Sequence, residues 1–134
     1  MIVSTRGRYA LRVMIDLAEQ HEDSFTPLKD VSARQNISQK YIEAIMTMLS
    51  KNGLVDAVHG KGGGYSLNKK PDEYKVGDIL RLTEGSLSPV ACLEKGAEEC
   101  PRKGDCRTLP LWTKLDELVE GYLDSVTLKD LMKN

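Results

Sequence analysis

Residues 26–65, TPLKDVSARQNISQKYIEAIMTMLSKNGLVDAVHGKGGGY, carry two short amphipathic segments, a polar turn and a glycine-rich hairpin in direct succession. Thr26 is a suitable N-cap, and Pro27 at the first helical position sacrifices no needed hydrogen bond. The first segment runs through Leu28, Val31 and Ala33 and stops at Gln35-Asn36, where Asn tolerates a left-handed turn. Ser38 then caps a second segment whose buried stripe is Tyr41, Ile42, Ile45, Met48 and Leu49, with Gln39, Lys40, Glu43, Thr47 and Ser50 on the other side and Gly53 at its end. Two short helices joined by a tight polar turn make a helix-turn-helix, whose second helix enters the DNA major groove. Leu54–Val58, the glycine-rich tip and Tyr65-Ser66-Leu67 follow as a β-hairpin, the wing.

On the N-terminal side, residues 5–20 predict a helix with Tyr9/Ala10, Val13/Met14 and Leu17/Ala18 on one face and Arg8, Arg12, Asp16 and Glu19 on the other, closed by a loop at His21–Ser24. After the wing come a polar linker over Asn68–Asp72 and a fourth helix through Val76, Ile79, Leu80 and Thr83, ending near Gly85. Residues 87–108 show no period. Leu109, Trp112, Leu115, Leu118/Val119, Tyr122/Leu123 and Val126 predict a long helix with a continuous apolar stripe, suited to packing against a twin. Thr127-x-x-Asp130 signals a last short helix by its capping box, with Val126 and Leu131 spaced as a hydrophobic staple. The expected fold is mainly α with a small β-hairpin wing: a winged helix-turn-helix domain over 1–85, a cysteine-containing sensor loop over 86–108, and a dimerisation helix with a short terminal helix over 109–134.

The bulk composition agrees with a soluble regulator. Apolar residues make up 40% and charged residues 29% of the 134-residue chain, which excludes a disordered polypeptide. No signal peptide or membrane span is readable, so the chain is expected in the cytoplasm, where a structural disulfide is disfavoured. The net charge of −1 divides unevenly: residues 1–70 hold ten Lys/Arg against seven Asp/Glu, whereas residues 71–134 hold nine against thirteen. The basic half can face phosphate while the acidic half stays away from it.

Three constellations carry chemistry. On the polar face of the second turn-flanking helix, Gln39, Lys40 and Glu43 can reach base edges, Lys toward guanine and Glu toward the cytosine amino group; the plainer alternative is a solvated face. In His59-Gly60-Lys61-Gly62-Gly63-Gly64 the missing Cβ atoms permit close backbone approach to DNA, with His59 and Lys61 as donors; the alternative is a flexible turn. No Gly-Lys-Ser/Thr opens a helix there, so a nucleotide loop is disfavoured. Cys92, Cys100 and Cys106, separated by seven and then five residues in one irregular loop, can converge on a metal or act as reactive thiols, and no Cys-x-x-Cys knuckle is present. With two histidines and no paired-carboxylate or nucleophile constellation, an enzyme is not expected.

Ser4-Thr5-Arg6-Gly7-Arg8-Tyr9-Ala10, Ile37-Ser38-x-x-Tyr41-Ile42-Glu43, Lys51-Asn52-Gly53-Leu54-Val55, Gly60-x-Gly62-Gly63-Gly64-Tyr65 and the stretch from Leu111-Trp112 to Val126-Thr127-Leu128 resemble the bacterial regulator family of IscR, NsrR, RirA and CymR. The resemblance spans essentially the whole chain. It implies a winged-helix homodimer with crossing C-terminal helices, and in the cluster-binding members three loop cysteines at the positions of Cys92, Cys100 and Cys106 hold an iron–sulfur cluster, usually [2Fe–2S]. IscR-type members place a histidine ligand three residues after the last cysteine; here that position is Leu109, which cannot ligate. Relatives that use a side chain near the start of the first helix would place it at Arg8, no ligand either. Glu94, Glu98, Glu99, Asp105, an exogenous thiol or water remain as sources of the fourth ligand.

The resulting expectation is a DNA-binding, homodimeric repressor gated by a [2Fe–2S] cluster that senses iron–sulfur, iron or redox status. Arg8, Ser38, Gln39, Lys40, Tyr41, Glu43, His59, Gly60, Lys61 and Gly62 are expected to meet DNA, and Cys92, Cys100 and Cys106 to bind the metal. The alternatives are a cluster-free regulator of the same fold responding through thiols, a small ligand or a protein partner, and a protein-interaction module that uses the winged fold without DNA.

Overall fold

The first helix, α1, covers Thr5–Ala18 and begins where the Ser4 hydroxyl accepts the Gly7 N–H. Glu84 accepts both the Ser4 N–H, at 3.0 Å, and the Ser4 hydroxyl, at 2.7 Å, which fastens this end to the fourth helix. The chain is seen as a computed structural model that describes residues 3–20 and 24–133. The loop expected at His21–Ser24 therefore lies, up to residue 23, outside the described residues. Two further helices, α2 (Leu28–Gln35) and α3 (Gln39–Lys51), are separated by Asn36 in the left-handed region (φ 54°). Asn36 is the residue the sequence marks for that turn. Ser38 caps α3 by accepting the Tyr41 N–H at 3.2 Å.

The start of α2 differs from the expectation. Pro27, not Thr26, is the N-cap, and no side chain caps the helix. Thr26 is instead used as a strand residue: its N–H donates to the Tyr65 carbonyl at 2.8 Å and its carbonyl accepts the Tyr65 N–H at 2.9 Å. A backbone already paired on both sides to the wing fixes the entry to α2 without help from a hydroxyl. The wing itself is the antiparallel pair β1 (Val55–Val58) and β2 (Gly64–Leu67), in register Val55 to Leu67 and Val58 to Gly64. Its base is tied by the buried Tyr74 hydroxyl, which accepts the Asn68 and Lys69 N–H groups and donates to the Leu54 carbonyl at 2.9 Å. Burial pushes the Tyr74 phenol above its ordinary pKa, so it stays a donor.

The glycines of the tip serve two different ends. A Cβ on Gly63 would collide with the Val58 carbonyl, and one on Gly64 (φ +150°) with the Thr26 carbonyl, so these two are required by the fold itself. Gly60 and Gly62 have positive φ but open space around them. Gly64→Val is accordingly expected to cost about 3 kcal/mol, from a glycine-only backbone region plus displacement of the Thr26 pairing. Gly60→Ala should cost only the left-handed penalty of about 1 kcal/mol. Urea unfolding midpoints check the contrast; equal costs at the two positions would contradict this division.

One core forms from Ala10, Val13 and Met14 of α1, Val31 of α2, Ile42, Ile45, Met46 and Leu49 of α3, Val55, Ile79 and Leu128. Ile79 lies on α4 (Val76–Glu84) and Leu128 on the short α6 (Leu128–Leu131), which carries the expected Thr127–Asp130 capping box. Leu128 is fully buried, whereas Leu131 is 42% exposed, so the apolar anchor of this last turn lies one residue into the helix rather than at the staple position.

The long helix α5 (Leu109–Ser125) shows that the predicted single stripe is two faces. Val119 and Leu123, with Val126 just beyond the helix, pack against Val76, Leu80 and Leu87 in a second cluster. Leu111, Leu115, Leu118 and Tyr122 are exposed, by 57, 38, 58 and 67%. Arg81 of α4 locks the inner face by a bidentate pair with Asp124 at 2.8 and 2.9 Å, which also holds the Asp124 carboxyl below the usual carboxylate range.

Candidate functional site

Every residue singled out for DNA contact is exposed. Ser38, Gln39, Lys40, Tyr41 and Glu43 occupy the start of α3; His59, Gly60, Lys61 and Gly62 form the tip of the wing; Arg8 lies on α1. Ala44 and Thr47 are also exposed on α3, and a methyl at each adds apolar surface of the kind that meets a thymine methyl. Ala44 was not legible as a contact because an apolar residue in an amphipathic helix reads as core.

Tyr41 is placed differently from the buried stripe it was read into. It stands at the edge, 36% exposed, with its ring against that of Tyr9 in an edge-to-face arrangement, centroids 5.3 Å apart. Arg12 lies over the Tyr9 ring at 5.1 Å and bonds Gln35 through both the side chain, at 3.2 Å, and the backbone carbonyl. Met46, absent from the expected stripe, takes the interior position instead. The pitch of α2 against α1 is held by Asp16, whose carboxylate is 3% exposed. It accepts Arg34 Nη2 at 2.7 Å, Arg34 Nε at 3.0 Å and Gln35 Nε2 at 2.8 Å. Asp16 looked like a solvent-face residue in the helical pattern; only its partners on α2 reveal the buried brace.

The three cysteines lie between the end of α4 and the start of α5, and all of them are free thiols. They share one cavity of about 370 Å³, walled by the three thiols, Glu98, Glu99, Lys103, Leu109 and Thr113 among others. Cys92 sits on a single 3₁₀ turn, Ala91–Leu93; Cys106 sits just before α5. The Cys106 thiol is 3.5 Å from the Thr108 hydroxyl. That hydroxyl, with the backbone N–H groups of Thr108 and Leu109 at the helix start, holds its pKa below the usual thiol value. Among the described residues no three potential ligands are close enough together to grip a single metal ion. The donor set nonetheless fits an iron–sulfur cluster in kind: three soft thiols from an irregular loop that share one cavity. Leu109, at the position where a histidine would be expected, forms apolar wall.

Residues 3–134 match the family described as "Rrf2: Iron-dependent Transcriptional regulator". The HTH-type transcriptional regulator CymR of Bacillus subtilis is 41% identical over 131 residues, 98% of this chain and 89% of its own length. Its solved structure, titled as that of the global cysteine regulator of B. subtilis, superposes with a TM-score of 0.78 at 40% identity, covering 98% of this chain and 95% of that one. The HTH-type transcriptional regulator IscR of Serratia proteamaculans is 39% identical over 134 residues, 100% of this chain and 80% of its own length. The structure of T. potens IscR superposes with a TM-score of 0.75 at 35% identity, covering 98% and 85% of the two chains. Among the described residues no helix is long and apolar enough to cross a membrane.

Proposed function

The chain belongs to the Rrf2 family of DNA-binding transcription regulators, and from that premise we propose that it is a homodimeric repressor whose grip on its operator is set by an iron–sulfur cluster, [2Fe–2S], at Cys92, Cys100 and Cys106. The observation that supports this most is the single cavity walled by all three thiols. Such a cluster, when bound, supplies redox and iron sensitivity. Everything else is work for the chain's own residues.

Gln39, Lys40 and Glu43 would address base edges from the major groove, with Ser38, Tyr41, Ala44 and Thr47 alongside them. His59, Gly60, Lys61 and Gly62 would follow the backbone or minor groove from the wing, and Arg8 would meet phosphate. A second copy would cover the exposed face of α5 and set the half-site spacing. The cysteine loop, 86–108, runs from the Gly85 cap of α4 to the start of α5 at Leu109. Glu84 holds the cap of α1 and Arg81 holds α5, so a change of order in the loop reaches both the reading domain and the dimer helix. As a regulator of genes, the protein is proposed to work in the cytoplasm.

The test is anaerobic purification with iron and sulfide counted per chain, together with operator affinity. Visible charge-transfer bands, lost in Cys100→Ala along with a change in DNA affinity, are the expected result. Colour without any effect of Cys100→Ala on DNA binding would overturn the gating. A colourless protein from iron-replete cells would favour the second reading, a thiol-responsive regulator. That reading draws on the same shared cavity, on the partial exposure of Cys106 with its thiol shifted toward thiolate, and on the likeness to a cysteine regulator.

A further inference from the structure

Resting on the cluster reading above, we propose that Glu98 supplies the fourth protein ligand, an oxygen donor completing Cys92, Cys100 and Cys106. Clusters of this kind are ordinarily held by four protein side chains, and the cavity offers only three thiols. Among the described residues the cavity wall holds no histidine, His59 being at the wing tip.

The structure sorts the four carboxylates of the loop by position. Glu94 faces a different cavity, shared with Arg81, Asp116 and Glu120, on the other side of Leu93. Asp105 is not among the residues that wall the thiol cavity. Glu98 and Glu99 both are, but Glu99 is engaged by Lys103, its Oε1 3.8 Å from the ammonium. Glu98 has no ion pair among the described residues. The other polar wall groups are poorer donors: the Lys103 ammonium has no lone pair, and the Thr113 hydroxyl is neutral where a carboxylate is ionised. Lys103 in the same wall provides a positive charge beside what would be a strongly anionic donor set. A hard oxygen on a site of soft sulfur donors makes the weakest of the four bonds, and so the one from which the site opens.

The test compares the parent with Glu98→Ala, Glu98→Cys, Glu94→Ala and Glu99→Gln, each reconstituted anaerobically with ferrous iron and sulfide. Three things are read: the electron paramagnetic resonance spectrum of the reduced protein, its midpoint potential, and the rate at which a chelator bleaches the visible bands. Glu98→Ala should bleach at least about tenfold faster than the parent. Glu98→Cys should bleach more slowly, with a shifted resonance spectrum and a lower potential, while Glu94→Ala leaves all three unchanged and Glu99→Gln keeps the parent's resonance spectrum and bleaching rate. Parent-like spectra and bleaching in both Glu98 variants, with colour still lost in Cys100→Ala, would overturn the assignment and leave the cluster reading intact. A parent that takes up no iron and sulfide would overturn both.

Discussion

Arg34→Ala is expected to destabilise the protein by about 3 kcal/mol, the lower end of the cost of stripping a buried charge of its partner. The Asp16 carboxylate is 3% exposed and takes two of its donors from Arg34, at 2.7 and 3.0 Å. Removing the guanidinium leaves that charge buried with Gln35 Nε2 at 2.8 Å as its remaining side-chain donor, which is why the effect falls at the lower end. The reciprocal change is milder. In Asp16→Asn the guanidinium, whose side chain is 40% exposed, turns to water, and the amide oxygen still accepts a bond. Urea unfolding of the two variants should show the asymmetry; equal losses, or a loss below about 1 kcal/mol for Arg34→Ala, would mean that the pair is not the brace between α1 and α2. Because α2 positions α3, operator affinity should fall in Arg34→Ala even at temperatures where the variant remains folded.

Leu118→Glu is expected to yield a monomer and to weaken operator binding by about 100-fold or more, the loss of one half-site from a two-site ligand. Leu111, Leu115, Leu118 and Tyr122 recur at intervals of four, three and four residues along α5, and all are exposed although the helix's other face is packed against α4. Each would contribute roughly 1.5–3 kcal/mol when buried against a twin. A glutamate in the middle of that seam must shed its hydration without a partner. Light scattering gives the mass and fluorescence anisotropy gives the affinity, with Lys129→Gln on the exposed side of α6 as a control. A Leu118→Glu dimer that binds its operator normally would show that this face is not the interface.

Much of the fold was legible because local chemistry decides it. Asn36 in the left-handed turn, the Ser38 cap and the Thr127–Asp130 capping box involve groups no more than a few residues apart. The same holds for the glycine-rich hairpin of the wing and for the helical stripes. The exposed polar face of α3, with Gln39, Lys40 and Glu43, was legible by pattern as well, since a polar face opposite a buried one is a property of a single helix. Where local reading went astray, a distant residue had taken over. Thr26 was read as a helix cap because its neighbours in sequence permit it, but Tyr65, thirty-nine positions on, pairs with its backbone. Tyr41 was read as core, but Tyr9 draws its ring to the edge.

By itself, then, the sequence determined the helix-turn-helix, the wing, the long terminal helix and the presence of three thiols in one irregular loop. These follow from side-chain spacing and turn chemistry, which act over one or two turns of chain. The tertiary structure alone decided that Gly63 and Gly64 are held by close backbone contacts while Gly60 and Gly62 stay free. It alone decided that Asp16 is a buried brace, that the apolar residues of α5 divide into a packed face and an open one, and that Glu98 and Glu99, of four loop carboxylates, share a cavity with the cysteines. Each depends on what a second segment presents across space, and no periodicity in one segment encodes its neighbour.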